Sequence, residues 1–393
     1  MQFVDLVYIN AGGGHRSAAV AIDTMVREQA RPWRIRMVNL FEVLDPGGVV
    51  ERTTGMKPEA YYNSRLKRGW TLGFAQELKI LQALIRLRDR SITARLQRYW
   101  QNASPDLVVS LVPNFNRAMY QALGMLRPRI PFVTLLTDFA DFPPHFWIEP
   151  KQTQHFICGT PRAVAQARAM GHDEARIHRA SGMIIRPDFY QPQRFDRRAE
   201  RLRLKLDPDR ATGIVMFGGH GSKTMKLIVK HLHDIQLICI CGHNAALARQ
   251  LRAMPAASPR VIVEFTAEIR HYMQLSDFFI GKPGPGSLSE AMQQGLPVIV
   301  VRNAWTLPQE RYNTDWVREN RVGVVLGSFK DVRSGVAQIV GDLAAWRARV
   351  GLIHNRAIFE IPEILKGILD AEAPARGHQP IAVPPRAFAG LRH

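Results

Sequence analysis

Residues 3–15 read FVDLVYINAGGGH, a mostly apolar run that ends in three glycines and a histidine. Such a run favours a buried strand, and glycines directly after it let the backbone turn sharply into the next element. A second stretch of the same kind, GIVMFGGHG, occupies residues 213–221. Because each stretch opens its own series of strands, we predict two Rossmann-like α/β domains instead of one large sheet.

Short apolar runs alternate with longer amphipathic ones on either side of these stretches, which is typical of a parallel sheet covered by helices. The predicted strands cover residues 3–10, 35–39, 107–111, 131–136, 213–217, 236–241, 260–264, 278–280, 297–301 and 323–326. A proline-bearing segment after residue 185 separates the two series. We therefore predict a first domain over residues 1–185, a second over 186–355, a helical stretch over 356–372 and a disordered, proline-rich tail over 373–393.

Composition narrows the class of protein. The chain has 393 residues, 46% of them hydrophobic, which is enough for two buried cores and excludes a mainly disordered state. Its formal net charge of +19 predicts a polyanionic partner, whether nucleic acid, anionic lipid or a phosphate-bearing substrate. Three cysteines are too few for a disulfide framework or a four-ligand zinc site, so a reducing, cytoplasmic setting fits best. The apolar runs are strand-sized, and we expect none to span a bilayer.

The glycine clusters predict anion binding. Free amides at a helix N-terminus favour an anion, and diphosphate is the obvious candidate, although a tight turn without any ligand is the alternative. A third cluster, KPGPGSLSEA at residues 282–291, follows another apolar run. Here Ser287 or Ser289 is predicted to cap a helix, and Glu290 can accept hydrogen bonds from two ribose hydroxyls. The alternative for Glu290 is a capping box with Ser287.

Three motifs then make the sequence resemble a known family. AGGGHRSAA at residues 11–19, TLLTDF at 134–139 and the KPGPGSLSEA cluster resemble the monogalactosyldiacylglycerol synthase and processive diacylglycerol glucosyltransferase family, part of glycosyltransferase family 28. The resemblance runs from about residue 5 to about residue 330. It implies a GT-B fold with two domains facing a central cleft, and a helix over 356–372 that crosses back to the first domain. It also implies inverting transfer of a hexose from UDP-galactose or UDP-glucose to a membrane lipid hydroxyl such as that of diacylglycerol.

The resemblance further implies a donor site in the second domain, with UDP-sugar as a substrate, no permanently bound cofactor and no catalytic metal. Gly218, Gly219, Gly221 and Ser222 would cradle the diphosphate, and the backbone at Phe265 and Thr266 would meet uracil. Glu290 would hold the ribose, while Gln309 and Glu310 would read the sugar hydroxyls. The remaining predicted donor-binding residues are Gly284, Gly286 and Ser287.

Inverting transfer needs a base that takes the proton of the acceptor hydroxyl. His15 is the predicted base, since an imidazole titrates near neutral pH; the alternative is that it positions the loop or donates to a phosphate. Family members often carry an acid two residues before the glycines, where this chain has Asn10, so Asp138 is the predicted helper unless it only caps a turn. The predicted acceptor-side residues are Gly13, Gly14, His145 and Trp147. His-rich metal-ligand spacings are absent from the sequence, so we predict no metal centre.

Residues 52–99 hold eleven Lys or Arg and three acids, interleaved with apolar and aromatic residues. This pattern predicts helices that lie on an anionic bilayer, which places the protein in the cytoplasm and peripherally on the inner face of the cell membrane. The alternative is an amphipathic helix packed on its own domain. A nucleic-acid-binding protein would leave the glycine loops unexplained, and we expect no nucleic-acid partner. A sugar-nucleotide epimerase of the same fold is the other alternative reaction.

Overall fold

The computed structural model describes residues 1–10, 13–48, 51–52, 55 and 74–372. The predicted tail and most of the first half of the basic segment therefore lie outside the described residues. The strands are β1 (Gln2–Tyr8), β2 (Trp33–Asn39), β3 (Leu107–Ser110), β4 (Phe132–Leu135), β5 (His155–Cys158), β6 (Ile177–Arg179), β7 (Thr212–Met216), β8 (Gln236–Ile240), β9 (Arg260–Val263), β10 (Phe278–Gly281), β11 (Val298–Val301) and β12 (Gly323–Leu326).

The helices alternate with the strands along most of the described chain. They are α1 (Gly14–Glu28), α2 (Leu40–Leu44), α3 (Phe74–Leu87), α4 (Asp89–Ala103), α5 (Asn116–Gly124), α6 (Pro161–Ala169), α7 (Arg197–Arg203), α8 (Thr224–His231), α9 (Ala245–Ala253), α10 (Ile269–Gln274), α11 (Pro285–Gln293), α12 (Arg311–Glu319), α13 (Val332–Gly341), α14 (Leu343–Val350) and α15 (Ala357–Glu372).

The strands form two parallel six-stranded sheets, in the orders β2-β1-β3-β4-β5-β6 and β12-β11-β10-β7-β8-β9. In the first sheet β1 lies between β2 and β3, with Val4 opposite Ile35 and Leu107. Both sheets are covered by helices, since apolar side chains from the two faces of each sheet enter separate buried clusters. The prediction of two Rossmann-like α/β domains is confirmed.

Strand order brings the predicted site segments to one edge of each sheet. In the first sheet His15 lies at the start of α1, just after β1, and Asp138 lies on the loop after β4. In the second sheet the glycine clusters follow β7 and β10. Parallel strands all end at the same edge, and ligands of such folds bind beyond it.

The last helix packs against the first domain. Ile358, Ile361 and Leu365 of α15 share one buried cluster with Val4 of β1 and Ile22 of α1. The chain therefore passes from the first domain to the second after β6 and returns before α15.

The two passages between the domains lie side by side. Asn355 donates from Nδ2 to the Met183 carbonyl at 2.8 Å, and the Arg356 amide donates to Ser181 Oγ at 2.6 Å. A Cβ atom added to Gly182 would lie 2.6 Å from Asn355 Cγ, so glycine allows this close approach. The outgoing and returning segments thus form a double connection.

A buried ion cluster fixes the outgoing segment on the second domain. Asp277, before β10, accepts from Arg197 at 2.7 Å and from Arg201 and Arg347 at 2.6 Å each. Arg201 is itself buried and also donates to the Leu275 carbonyl. One carboxylate therefore joins α7, α14 and the start of β10.

Candidate active site

His15 lies at the start of α1, at the carboxyl edge of the first sheet. Gly13 is the N-cap residue of this helix and has φ of 81°, a left-handed conformation that favours glycine. Both Gly13 and Gly14 are exposed, with open space where a Cβ atom would lie. Ala11 and Gly12 lie outside the described residues. The turn therefore places His15 at the carboxyl edge of the sheet, after two exposed glycines.

The His15 imidazole is held by the loop after β4. Its Nδ1 lies 3.1 Å from Thr137 Oγ1, and its ring centroid lies 6.0 Å from that of Trp147. Desolvation lowers the pKa of His15 to about 4, against a smaller upward effect of the Leu111 carbonyl. The imidazole is therefore neutral near pH 7 and has a lone pair that can accept a proton.

Asp138 is buried next to His15 but contacts a different partner. Its Oδ2 accepts a hydrogen bond from Trp147 Nε1 at 2.9 Å. Desolvation raises the pKa of Asp138 to about 7; the Trp147 hydrogen bond and Lys282 lower it, and Glu310 and Asp141 raise it. Thr137 was not among the predicted site residues, yet its hydroxyl contacts His15. Asp138, the predicted helper, instead binds the indole of Trp147.

The predicted acceptor-side loop is held by a second buried carboxylate. Asp141 accepts from the Trp147 amide at 2.6 Å and from the His145 amide at 3.2 Å. His145 has φ of 61° and an exposed side chain. Trp147 is fully buried, so its indole lies below the cleft surface. It affects the site through its hydrogen bond to Asp138.

The glycine turn after β7 is closely packed against the turn after β8. Gly218 and Gly221 have φ of 76° and 59°, and the Gly221 amide donates to the Gly218 carbonyl at 3.2 Å. A Cβ atom added to Gly221 would lie 2.8 Å from the Cys241 carbonyl oxygen. Around Gly218 and Gly219, in contrast, the corresponding space is open. Ser222 follows, and its Oγ accepts from the Thr224 amide at 3.2 Å.

Phe265 and Thr266, predicted near uracil, lie on the loop after β9. The Phe265 ring is 61% exposed and stacks on His243, with centroids 3.9 Å apart and planes 17° apart. Thr266 Oγ1 accepts from the Glu268 amide at 3.0 Å, which shapes the turn. An exposed flat surface therefore lies beside the glycine turn.

The helix after the third glycine cluster begins earlier than predicted. Gly284 is the N-cap residue of α11 and no side chain caps it, while Pro285 occupies the first turn. The predicted capping by Ser287 or Ser289 is wrong, because proline favours the first helical position and both serines follow it inside the helix. Gly286 faces open space, and the first amides of α11 are left for an anion.

Glu290 lies on the same helix, one turn further from the loop. Desolvation raises its pKa to about 7, with Arg186 lowering it and Asp188 raising it. The carboxyl group is thus close to the interdomain connection, at one end of the cleft.

Gln309 and Glu310 lie in a short 3-10 turn, Pro308–Glu310, after β11. Glu310 is buried and its Oε1 accepts from Lys282 Nζ at 2.7 Å. Asn313, also buried, donates to the Pro283 carbonyl at 2.7 Å and so ties this segment to the glycine cluster. Lys282 belongs to the third glycine cluster but is not among the predicted site residues.

Residues of both domains meet across the cleft. Glu310 and Lys282 of the second domain lie close enough to Asp138 of the first to shift its pKa. Phe139 and Trp316 pack edge to face with ring centroids 4.9 Å apart. Among the described residues, no three His, Cys, Asp or Glu side chains converge as ligands for a metal ion.

Comparison with known proteins identifies one domain and a set of relatives. Residues 215–314 match the model of the glycosyltransferase family 28 C-terminal domain. The probable monogalactosyldiacylglycerol synthase 2, chloroplastic, of Oryza sativa subsp. japonica is 28% identical over 352 residues, which are 84% of this chain and 71% of that protein. The monogalactosyldiacylglycerol synthase, chloroplastic, of Spinacia oleracea is 27% identical over 354 residues, 85% of this chain and 65% of that protein.

Solved structures agree on the fold. The calicheamicin glycosyltransferase CalG4 has a TM-score of 0.60 at 16% identity, and the match covers 95% of this chain and 100% of that one. Anabaena Alr3699/HepE in complex with UDP-glucose has a TM-score of 0.54 at 13% identity, covering 94% of this chain and 100% of that one. The resemblance seen in the motifs is confirmed: the chain is a GT-B glycosyltransferase with a family 28 C-terminal domain, related over most of its length to the monogalactosyldiacylglycerol synthases.

Proposed function

We propose that the protein transfers a hexose from UDP-galactose or UDP-glucose to a hydroxyl of a membrane lipid such as diacylglycerol, with inversion and with His15 as the base. The observation that carries this proposal is the neutral imidazole of His15, which lies on the first-domain side of a cleft whose other side presents Glu310 and the uncapped start of α11.

The second domain supplies the features that a UDP-sugar requires. Open space at Gly218, Gly219 and Gly286 lets phosphates approach the backbone, and the first amides of α11 favour their charge. The exposed Phe265 ring and its neighbour Thr266 are then available to uracil. Glu290 at one end of the cleft suits the ribose, and Gln309 and Glu310 suit the hexose. In support, the rice and spinach relatives are named as galactolipid synthases, and Alr3699/HepE was solved with UDP-glucose.

Displacement at the sugar carbon needs a proton acceptor and a stabilised leaving group. The His15 imidazole takes the proton of the lipid hydroxyl, and Thr137 orients the ring through Nδ1. The departing UDP keeps its charge near the α11 amides. Asp138 lies beside this centre with a pKa of about 7, so its charge changes in the pH range in which the enzyme would work.

The acceptor must reach the cleft from a bilayer, and α3 is the element that suits docking. Ile80, Leu84 and Leu87 recur at helical spacing and are 60%, 51% and 81% exposed. Residues 74–99 also carry six Lys or Arg against two acids, which favours an anionic surface. This is the described part of the segment predicted to bind the membrane, and it fits a peripheral position on the inner face of the cell membrane.

The inner face of α3 contacts the acceptor side of the site. Gln82 donates from Nε2 to Asn114 Oδ1 at 3.1 Å and to the His145 carbonyl at 3.4 Å. Helix α3 thus exposes apolar side chains on one face and contacts the loop that carries His145 with another. Along the residues that the structure describes, no helix has the length and the apolar character to cross a bilayer.

The test is incubation of the full chain with radiolabelled UDP-galactose or UDP-glucose and total membrane lipid, followed by identification of the labelled product. We expect label in a lipid hydroxyl with the inverted anomeric configuration. Conversion of the UDP-sugar in the absence of lipid would favour the epimerase instead. Retention by nucleic acid but not by anionic vesicles would overturn the membrane assignment.

A further inference from the structure

Lys282 and Glu310 form an ion pair at the donor side of the cleft. Lys282 follows β10, Glu310 follows β11, and their side chains meet at 2.7 Å through Nζ and Oε1. The ammonium is partly exposed whereas the carboxylate is buried. Removing a carboxylate from water is unfavourable unless it is paired, so the contact with Lys282 offsets the burial of Glu310 and fixes the orientation of its side chain.

The pair lies against the N-cap of α11. A Cβ atom added to Gly284 would lie 3.4 Å from Lys282 Cε, 3.6 Å from Glu310 Oε1 and 3.7 Å from Lys282 Nζ. A diphosphate bound at the first amides of α11 therefore places the attached sugar close to this pair. Lys282 binds one carboxylate oxygen, Oε1, which leaves Oε2 to accept from a sugar hydroxyl.

The opposite side of the cleft presents Asp138, whose pKa responds to both members of the pair. Without Lys282, the Glu310 carboxylate would lose the cation that fixes its orientation, and repulsion from a charged Asp138 would displace it. A displaced carboxylate no longer lies within hydrogen-bonding distance of a hydroxyl of the bound sugar. The ammonium thus has a specific consequence for recognition of the sugar.

We propose that Lys282 is a positioning residue for the donor hexose: it holds Glu310 turned so that the carboxylate accepts a hydrogen bond from a hydroxyl of the UDP-linked sugar. This inference rests on the proposed function, since it assumes a UDP-hexose in the cleft. Lys282 acts through Glu310 and not by contact with the phosphates.

The experiment compares binding of UDP and of the UDP-hexose used by the enzyme, measured by calorimetry on the full chain. We expect Lys282→Met to weaken the UDP-hexose about tenfold and to leave UDP unchanged, because a charge-assisted hydrogen bond to the sugar is lost. Lys282→Arg retains the cation and should restore most of the affinity. Lys366→Met is the matched control, since Lys366 also pairs with a carboxylate, Asp370, but on α15.

A double-mutant comparison tests the route through Glu310. The Lys282→Met/Glu310→Gln protein should lose no more affinity for UDP-hexose than Glu310→Gln alone. Equal weakening of UDP and UDP-hexose would show a direct phosphate contact and overturn the inference, as would additive losses or an unchanged Lys282→Met protein. If the wild-type protein binds UDP but no UDP-hexose, or neither, the proposed function itself fails.

Discussion

Desolvation dominates the titration of the residues that line the cleft. It lowers the pKa of His15 and raises the pKa values of Asp138 and Glu290. All three shifts favour the neutral form, as expected for groups removed from water. Near pH 7 the cleft therefore contains a neutral imidazole and two carboxyl groups whose pKa values are raised to about 7.

His15→Ala should lower kcat by a factor of about 10²–10⁴, the usual contribution of a general base, while the affinity for UDP stays within about twofold. Thr137→Val should lower kcat less, because the ring remains but loses the hydroxyl on Nδ1. The measurement is steady-state turnover together with UDP calorimetry. His233→Ala, an exposed histidine of the second domain, is the control. Near-normal turnover of His15→Ala would remove His15 from the mechanism.

Asp138 makes a testable contribution to the pH dependence of stability. Its folded-state pKa of about 7 lies above the ordinary value of 3.8, so folding favours the protonated acid. That contribution is complete below pH 4 and is lost as the pH rises through 7. Relative to wild type, Asp138→Asn should therefore gain on the order of 2 kcal/mol of unfolding free energy between pH 5 and pH 8. Urea unfolding at the two pH values measures it, and parallel pH curves for both proteins would contradict the assignment.

The elements differ in how far the sequence predicts them. The ten predicted strands are all present, because each is an apolar run with glycine, proline or polar residues at its ends. β5 and β6 were missed: they are four and three residues long, and β6 reads Ile-His-Arg with a single apolar residue. Pairing fixes these strands, β5 against β4 and β6 against β5, and the local sequence carries little trace of it.

The candidate site shows the same limit. His15 and Asp138 could be named from motifs, since each directly follows an apolar strand. The contact of His15 with Thr137 joins residues 122 positions apart, and the Lys282–Glu310 pair joins residues 28 apart. Such pairs depend on which strands are neighbours in the sheet, so no spacing rule in the sequence reveals them. The prediction of a serine cap for α11 was wrong for a local reason, because Pro285 starts the helix before the two serines.

For α3 we predict a direct link between its apolar face and membrane binding. Leu84→Glu/Leu87→Glu should abolish most retention on anionic vesicles, because two carboxylates would replace exposed apolar surface that enters the bilayer. Sedimentation with vesicles measures the effect. Leu352→Glu is the matched control, an exposed leucine of the second domain, 74% accessible, and it should bind as wild type does. Unchanged retention of the double variant would exclude α3 as the docking element.

For the ion cluster that fixes α7 we predict a loss of stability. Asp277→Asn should lower the free energy of unfolding by about 3–5 kcal/mol, since it leaves three arginines around an uncharged side chain. Asp234→Asn breaks the exposed pair with Arg333 and should cost far less, because solvent screens an exposed ion pair. Urea unfolding of the two variants compares them, and similar losses would contradict the role of the cluster.

At the scale of the whole molecule, side chains of the two domains meet across the cleft. Phe139 packs on Trp316, and the charges of Lys282 and Glu310 reach Asp138. Domains of one chain commonly move relative to each other, and relative motion is the expected behaviour here. Donor and acceptor can then enter an open cleft, and closure would exclude water from the reacting atoms.

The double connection restricts that motion. The segments around Ser181 and Arg356 are hydrogen-bonded to each other, so the two domains are joined by two adjacent segments and not by a single one. A single connecting segment would let one domain rotate in any direction relative to the other. Two adjacent connecting segments leave chiefly one axis for that rotation. Under the proposed function, motion about that axis would return Glu310 to the same position opposite Asp138, and the alignment of the sugar with His15 would follow from the route of the backbone.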